Sequence, residues 1–417
     1  MTVLEDLMRD EWGRLLALLV ARYRRLDLAE DGLADAFEAA ARTWPRDGVP
    51  VNGPAWLLTA ARRRVLDRLR SERVLARSMP LLEVEADLAA RAHRGMADAG
   101  EPLTDERLRL VLLCAHPRLS REAAAALSLR LVLGVPTADV ARLFLQSTPT
   151  MAARLTRARK KLAGERFTLP PADEVADRLG VAADVAYLAF TAGYAPASGD
   201  DVVRAGLAGE AVRLVRVLRD VRPTLGDTAA EGGGTGGGPA ARDLDALLAL
   251  VLLQHSRRDA RVHDGALVLL PDQDRSRWRQ DEIAEALDLL TPLAAAPPTP
   301  YLLQALVAAE HAIAPTPEAT AWDRILARYD ELLALSDTPV VRLNRAVAVA
   351  EVSGPRAGLD ALAGVALPGH RLPALRAELL RRAGDPDGAL RAYDAALALS
   401  GSGAEHDHMR RRREELA

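Results

Sequence analysis

An all-α fold is predicted for this 417-residue chain, and three observations carry the prediction. Ala, Leu and Arg, all good helix formers, dominate the composition, while aromatic residues supply 4%. Apolar residues return at helical period, most clearly Met151, Leu155, Ala158 and Leu162 at i, i+4, i+7 and i+11. Proline and glycine gather in short stretches between such segments, as in Pro45–Gly53, and read as loops. An apolar content of 49% is ample for real cores, and the length suits two to three domains.

Residues 1–75 form a first helical block. Glu5–Arg25 is one helix, with Leu15, Leu18, Leu19 and Tyr23 at apolar positions. Ala29–Trp44 is a second, its acidic residues in the first turn where the helix dipole favours them. After the Pro45–Gly53 loop, Pro54–Arg73 is a third, with proline suited to the first helical position. Seven arginines crowd Arg62–Arg77 against Asp67 and Glu72, a local charge of +5. Residues 76–104 are acidic, hold Pro80, Gly95, Gly100 and Pro102, and read as a linker. A second helical block spans 105–168, and Pro170–Pro171 marks the next boundary. Residues 175–417 are helical again, with a flexible Gly-rich insertion at 231–239. Near the end, Gly384, Ala389, Tyr393 and Ala396 follow a helix holding Ala377 and Leu380. That spacing matches the hairpin of a tetratricopeptide repeat, with a weaker echo through Trp322–Leu362.

The second block ends in two short helices, Thr137–Gln146 and Thr148–Leu162, joined by a tight turn. This is the layout of a helix-turn-helix. The apolar stripe of the second helix is matched by Arg154, Arg157 and Lys161 at i, i+3 and i+7, with Arg159 and Lys160 beside them. Six basic residues in Arg154–Arg166 face Glu165 alone, again a local +5, on a chain whose net charge is −3. Local patches on a near-neutral chain indicate defined phosphate-contacting surfaces rather than a basic coat. Ser147, Thr148, Thr150 and Arg154 are placed to reach base edges or phosphates. Arg157, Arg159, Lys160 and Lys161 suit phosphates, which set affinity and register. The bland alternative is a solvated basic helix end.

Other chemistries find little support. A single cysteine, Cys114, excludes a disulfide framework and points to a reducing compartment. The acidic N-terminus lacks the features of a secretory signal. No apolar run reaches the roughly 18 residues of a membrane span, so a cytoplasmic protein without membrane contact is expected. Cys114 and His116 are spaced C-x-H, but a structural zinc takes four ligands and no second cysteine exists, so no metal is expected. His255 and His263 have no carboxylate-rich partner motif. The GGGTGGG run lacks the Lys and Ser/Thr of a phosphate-binding loop. No nucleophile–base set stands out and no cofactor is implied, so the chain reads as no enzyme. The DQDRSRW segment, 272–278, reads as a helix start or inter-helix contact.

The strings AEDGLADAF and AWLLTAARRRVLDRLR resemble region 2 of bacterial sigma factors of the extracytoplasmic-function group. ADVARLFLQSTPTMAARLTRARKKL resembles region 4. RLRLVLLCAHPRLSREAAAALSLRL, YLAFTAGYAPASGDD and LLPDQDRSRW extend the resemblance to the subgroup with a long tetratricopeptide-like C-terminal extension. The Gly-rich insertion departs from the pattern, and Arg63–Arg64 stands where many relatives have asparagine. The resemblance implies two small helical sigma-type domains plus a helical extension. Its implied partners are core RNA polymerase and promoter DNA, with the extension regulating activity through a further protein or through contacts within the chain. Asp31, Asp35 and Phe37 would meet the polymerase clamp helices, although burial of Phe37 is an equal reading. The 45–53 loop is the candidate for capturing a flipped base, flanked by a backbone track of Arg62, Arg63, Arg64, Arg68 and Arg70. Trp56 could stack on a base, but with Leu57 and Ala60 it falls at core spacing. The rival function is a helix-turn-helix regulator with a helical-repeat interaction domain, which would need neither the loop nor the first arginine cluster.

Overall fold

The computed structural model describes residues 3–75, 109–144, 146–162, 165, 172–194, 205–220, 239–263, 266–400 and 403–416. The fold is all-α: apart from 3-10 turns, the described residues add only a two-stranded antiparallel ribbon, Val262–His263 with Ala266–Leu267. The expected linker at 76–104 and nearly all of the Gly-rich insertion lie outside the described residues. The chain forms two compact units, Met1–Leu188 with Arg213–Gly233 and Ala189–Val212 with Gly234–Ala417.

The first unit opens with three helices, α1 Val3–Tyr23, α2 Leu26–Asp47 and α3 Gly53–Leu75. Helix α1 buries Trp12, Leu15, Leu16, Leu19 and Val20; α2 buries Leu33, Ala36, Phe37, Ala40 and Trp44; α3 buries Leu57, Leu58, Ala61 and Val65. Each set falls on one face at helical spacing and together they form the core of this bundle. Gly32 lets α2 and α3 touch, since a Cβ there would stand 2.7 Å from Val65 Cγ2. Helix α2 runs one turn past its expected end at Trp44, through Pro45. Proline forfeits only one hydrogen bond so close to a helix end. Gly48, at φ +83°, then stops the helix by donating its N–H to the Trp44 carbonyl at 3.0 Å. The loop is therefore shorter than Pro45–Gly53. Asn52 closes it, its Oδ1 accepting from the Ala55 N–H at 3.0 Å as the cap of α3. Trp56 is half-buried, edge-on to Trp44 at 5.5 Å, because the α3 stripe runs through Leu57, Leu58 and Ala61.

A helical stretch at 109–114 leads to α4 Arg121–Leu131, α5 Thr137–Leu143 and α6 Thr148–Leu162. Ser120 caps α4, its Oγ accepting from the Ala123 N–H. Helix α6 buries Met151, Leu155, Ala158 and Leu162. α7 Ala172–Tyr194 and α8 Ala205–Asp220 follow, with Val185 of α7 packed on Ala124 and Ala125 of α4.

In the second unit, α9 Pro239–His255 is the centre: Ala246–Leu253 is buried without interruption, as a helix enclosed on all sides must be. Around it and beyond run α10 Gln280–Leu290, α11 Pro300–Ile313, α12 Trp322–Leu335, α13 Pro339–Ser353, α14 Pro355–Ala361, α15 Arg371–Arg382, α16 Pro386–Leu399 and α17 Ala404–Glu414. Four of these, and α9 itself, begin with proline at the first helical position, where its missing N–H costs nothing. Thr299, Thr338 and Asp385 cap three of them through their side-chain oxygens. Helices α15 and α16 pack through Ala377, Tyr393 and Ala396, with Gly384 at φ +78° in the turn. Leu379, rather than Leu380, is the buried leucine of α15. Gly358 brings α14 against α13, where a Cβ would stand 2.6 Å from Ala350 Cβ.

The DQDRSRW segment forms a clamp. Arg275 donates to the carbonyls of His311 and Ala314 at 2.7 and 2.8 Å, satisfying the C-terminal end of α11. Its guanidinium lies 4.5 Å from the ring centroid of the buried Trp278. This places the segment as an inter-helix contact. His255, buried, has Nδ1 3.1 Å from both carboxylate oxygens of Glu282, to which Arg258 also donates at 2.8 Å. His263 is exposed on the ribbon. Among the described residues no group of three or more His, Cys, Asp or Glu could hold a metal, and no described helix is long and apolar enough to cross a membrane.

Candidate nucleic-acid interface

Helix α6 divides into faces that the residue order dictates. Its apolar stripe lies against the rest of the helix-turn-helix, where Val140 and Ala141 of α5 are also buried. Ser147, Thr148 and Thr150 are exposed at the N-terminal end. Ser147 is engaged as the cap: its Oγ accepts from the Thr150 N–H at 3.3 Å and lies 2.8 Å from Thr150 Oγ1. That bond satisfies one of the donors left open at a helix start and orders the tip. Arg154 is half-exposed, while Arg157, Lys160 and Lys161 are exposed. Arg157 Nε donates to the Ala153 carbonyl at 3.3 Å, which lays the side chain along the helix.

Arg159 departs from this set. It lies roughly 200° around the helix from Arg157, two residues on at ~100° each. There its NH2 meets both oxygens of Glu30 on α2, at 2.8 and 2.6 Å. Arg159 is thus turned away from the phosphate-binding face expected of it. The same carboxylate accepts from Arg130 Nε of α4 at 2.7 Å. Arg130 in turn stands 4.8 Å above the Trp12 ring of α1. Glu30 is only 5% exposed. Sequence reading put it among first-turn acids serving the helix dipole. The sequence carries one signal of this, the apolar pair Leu28–Ala29 directly before it, and all three residues are buried.

The arginines of α3 separate in the same way. Arg63, Arg64 and Arg70 are exposed, and Arg70 lies 3.3 Å from Asp67. Arg62 is half-buried; burial, with Arg22 adding like charge, lowers its pKa below the usual guanidinium range. Arg68 faces α2 and pairs with Asp31 at 2.6 Å and Asp35 at 3.0 Å. It therefore ties the expected DNA track to the expected polymerase surface. Phe37 is 4% exposed, its ring 5.6 Å from that of Trp12, which is the buried reading and removes it from the surface. In the short loop before α3, Val51 is fully exposed and Val49 half-exposed.

Cys114 and His116 lie in different surroundings. Cys114 is fully buried, and burial pushes its thiol up to about 12. His116 Nε2 lies 3.6 Å from Glu165, which Arg118 also pairs at 2.6 Å. Burial lowers the His116 pKa.

Two surfaces on separate helices, one basic helix-turn-helix and one arginine-bearing three-helix bundle, define the class. Residues 7–74 match sigma-70 region 2 and residues 109–162 match sigma-70 region 4. The chain belongs to the sigma-70 family, in the extracytoplasmic-function group, with a C-terminal extension. Within that extension, residues 236–294 match a family of unknown function, DUF6596. Over 414 residues the chain is 37% identical to an uncharacterized protein of Rhizobium meliloti (strain 1021), covering 96% of this chain and 93% of that protein. No solved structure matches the chain significantly.

Proposed function

We propose that this sigma factor binds core RNA polymerase and directs it to specific promoters, with region 4 reading an upstream element and region 2 a downstream one. The observation that carries the reading is α6. Its apolar stripe is buried while Thr148, Thr150, Arg157, Lys160 and Lys161 stand exposed. A helix so divided can lie in a major groove with short polar residues at base edges and cations on phosphates. In region 2, exposed Arg63, Arg64 and Arg70 supply a backbone track. The short loop with bare Val49 and Val51 offers apolar surface to an unstacked base. Asp31 and Asp35 are exposed enough to meet polymerase. The C-terminal helices, with tetratricopeptide-like hairpins such as α15–α16, would regulate this activity by binding a protein or the sigma regions themselves.

Run-off transcription with purified core polymerase tests the proposal. Promoter-specific transcripts are expected from the full chain and should fall at least tenfold in Arg157→Ala. Binding of DNA without any polymerase association would favour the helix-turn-helix regulator instead. Removal of residues 234–417 should change either the basal output or its response; unchanged output under every condition would remove the regulatory role.

A further inference from the structure

The cations of region 2 fall into two groups, those with an acid beside them and those without. Arg25 pairs with Asp27, Arg46 with Asp47, and Arg68 with Asp31 and Asp35. Among the described residues, Arg22, Arg24, Arg62 and Arg63 pair with no acid. These four gather at one edge of the bundle. Arg22 sits in the last turn of α1, its guanidinium 5.5 Å from the ring centroid of Tyr23, and Arg24 directly follows the helix. Arg62 of α3 stands near both, since Tyr23 and Arg22 act on its charge, and its Nε is buried without a hydrogen-bond partner. On α3, Arg63 and Arg70 lie within about 100° of Arg62, whereas Arg68 lies about 240° round, toward α2. The unpaired edge is therefore the side of α3 that meets the end of α1, and Asp31 and Asp35 lie on the other side. Arg24 adds an oddity of its own: it holds φ at +55°, in the left-handed region. Glycine would take that conformation freely, so the backbone gains nothing from an arginine there.

We propose that Arg22 and Arg62 hold neighbouring phosphates of promoter DNA, so that the backbone track of region 2 runs off α3 onto the end of α1. The proposal rests on the promoter-reading function above.

The chemistry of the edge calls for an anion from outside. Two guanidinium groups set together without an acid repel each other, and half-burial costs Arg62 part of its hydration. A phosphodiester relieves both. Its oxygens fit the guanidinium fork, and its charges repeat along the strand, as a row of separate cations requires. A lone carboxylate would satisfy only one of them. The Tyr23 ring holds the Arg22 guanidinium at the site before DNA arrives, since a cation within about 6 Å of an aromatic face is attracted to it. The spacing also agrees with the base-capturing loop. Arg62 is ten residues past Asn52. That is about 15 Å along α3, or about four phosphates at the 3.4 Å spacing of one strand. Loop and track can thus take the same strand, one by a base and the other by its backbone.

The test is the salt dependence of binding of the full chain to a fluorescein-labelled, single-stranded 30-base oligonucleotide of mixed sequence, read by anisotropy. Arg22→Ala and Arg62→Met should each lower the slope of log affinity against log salt by about 0.7, one phosphate on a single strand, and the double variant by about 1.4. Arg22→Lys keeps the charge and should keep the slope. Arg14→Ala, on the same helix but paired with Glu11, should leave it unchanged. Melting temperatures should not fall in Arg22→Ala, because that cation has no acid to lose. An unchanged slope in Arg22→Ala, or an equal loss in Arg14→Ala, overturns the proposal. So does a wild-type chain that binds no oligonucleotide at low salt. The oligonucleotide carries no promoter, so the function above fails separately. A chain with the arginine-dependent slope that yields no promoter-specific transcript in run-off assays would sink promoter reading and leave Arg22 and Arg62 as DNA contacts. Normal transcripts with an unchanged slope in Arg22→Ala would sink the α1 contact alone.

Discussion

The Trp12 indole lies against Gly134 so closely that a Cβ on the glycine would stand 2.5 Å from the ring. Gly134 also holds φ at +73°, a conformation costly for any other residue. Gly134→Ala should therefore lose stability on both counts, about 3 kcal/mol in all. Gly384, at φ +78° with open space around it, isolates the backbone part. Gly384→Ala should cost about 1 kcal/mol. Urea midpoints of the two variants check the difference.

On α6, neighbouring arginines should behave oppositely in DNA titrations. Arg157→Ala should reduce the slope of log affinity against log salt by about 0.9, the loss of one phosphate contact. Arg159→Ala should leave that slope unchanged, because its guanidinium faces Glu30. Equal loss of slope in both variants would refute the division of the helix into two faces.

Asp31 and Asp35 are the acids expected to meet polymerase, and Arg68 bridges them. Asp31→Asn with Asp35→Asn should weaken binding to core polymerase at least tenfold. The same pair of changes should move stability by no more than about 1 kcal/mol, since exposed pairs contribute little. Competition binding to core polymerase, read beside thermal melts, separates the two effects.

Burial, reinforced by Arg257 and Arg275, holds the His311 pKa down to about 4 from an ordinary 6.5. The unfolded chain then binds more protons than the folded chain between those values. Stability is full above pH 6.5 and falls as pH drops toward 4, by up to about 3 kcal/mol. His311→Gln should flatten this part of the pH profile, measured by urea unfolding at pH 7, 5.5 and 4.

Cys114 should be inert in the folded chain, since burial raises its thiol to about 12 and closes off reagents. A thiol reagent at pH 8 should titrate no cysteine in buffer and one in concentrated urea.

What could be read from residues alone was the part controlled by local period. Met151, Leu155, Ala158 and Leu162 announce α6 and its buried face, because a helix repeats every few residues whatever surrounds it. Phe37 could not be settled this way, since surface or core depends on Trp12 lying 25 residues upstream. Arg68 and Arg159 read as DNA contacts in the sequence because a cation with no local partner looks free. Their acids, Asp31, Asp35 and Glu30, stand far off in the chain and near only in space. Pro45 misled for the opposite reason: proline signals a break, yet near the end of α2 the lost hydrogen bond is too small a penalty to stop the helix.

The prolines that open α9, α11, α13, α14 and α16 act as index marks on the chain. Each disfavours helical backbone in the residue before it and favours helical backbone in itself, so the first helical residue is fixed without reference to what precedes it. Extra residues gained in a preceding turn would be absorbed there, and the buried stripe of the next helix would keep its phase. The extension is therefore a scaffold whose surface turns can be lengthened and diversified over evolution while its helices stay in register.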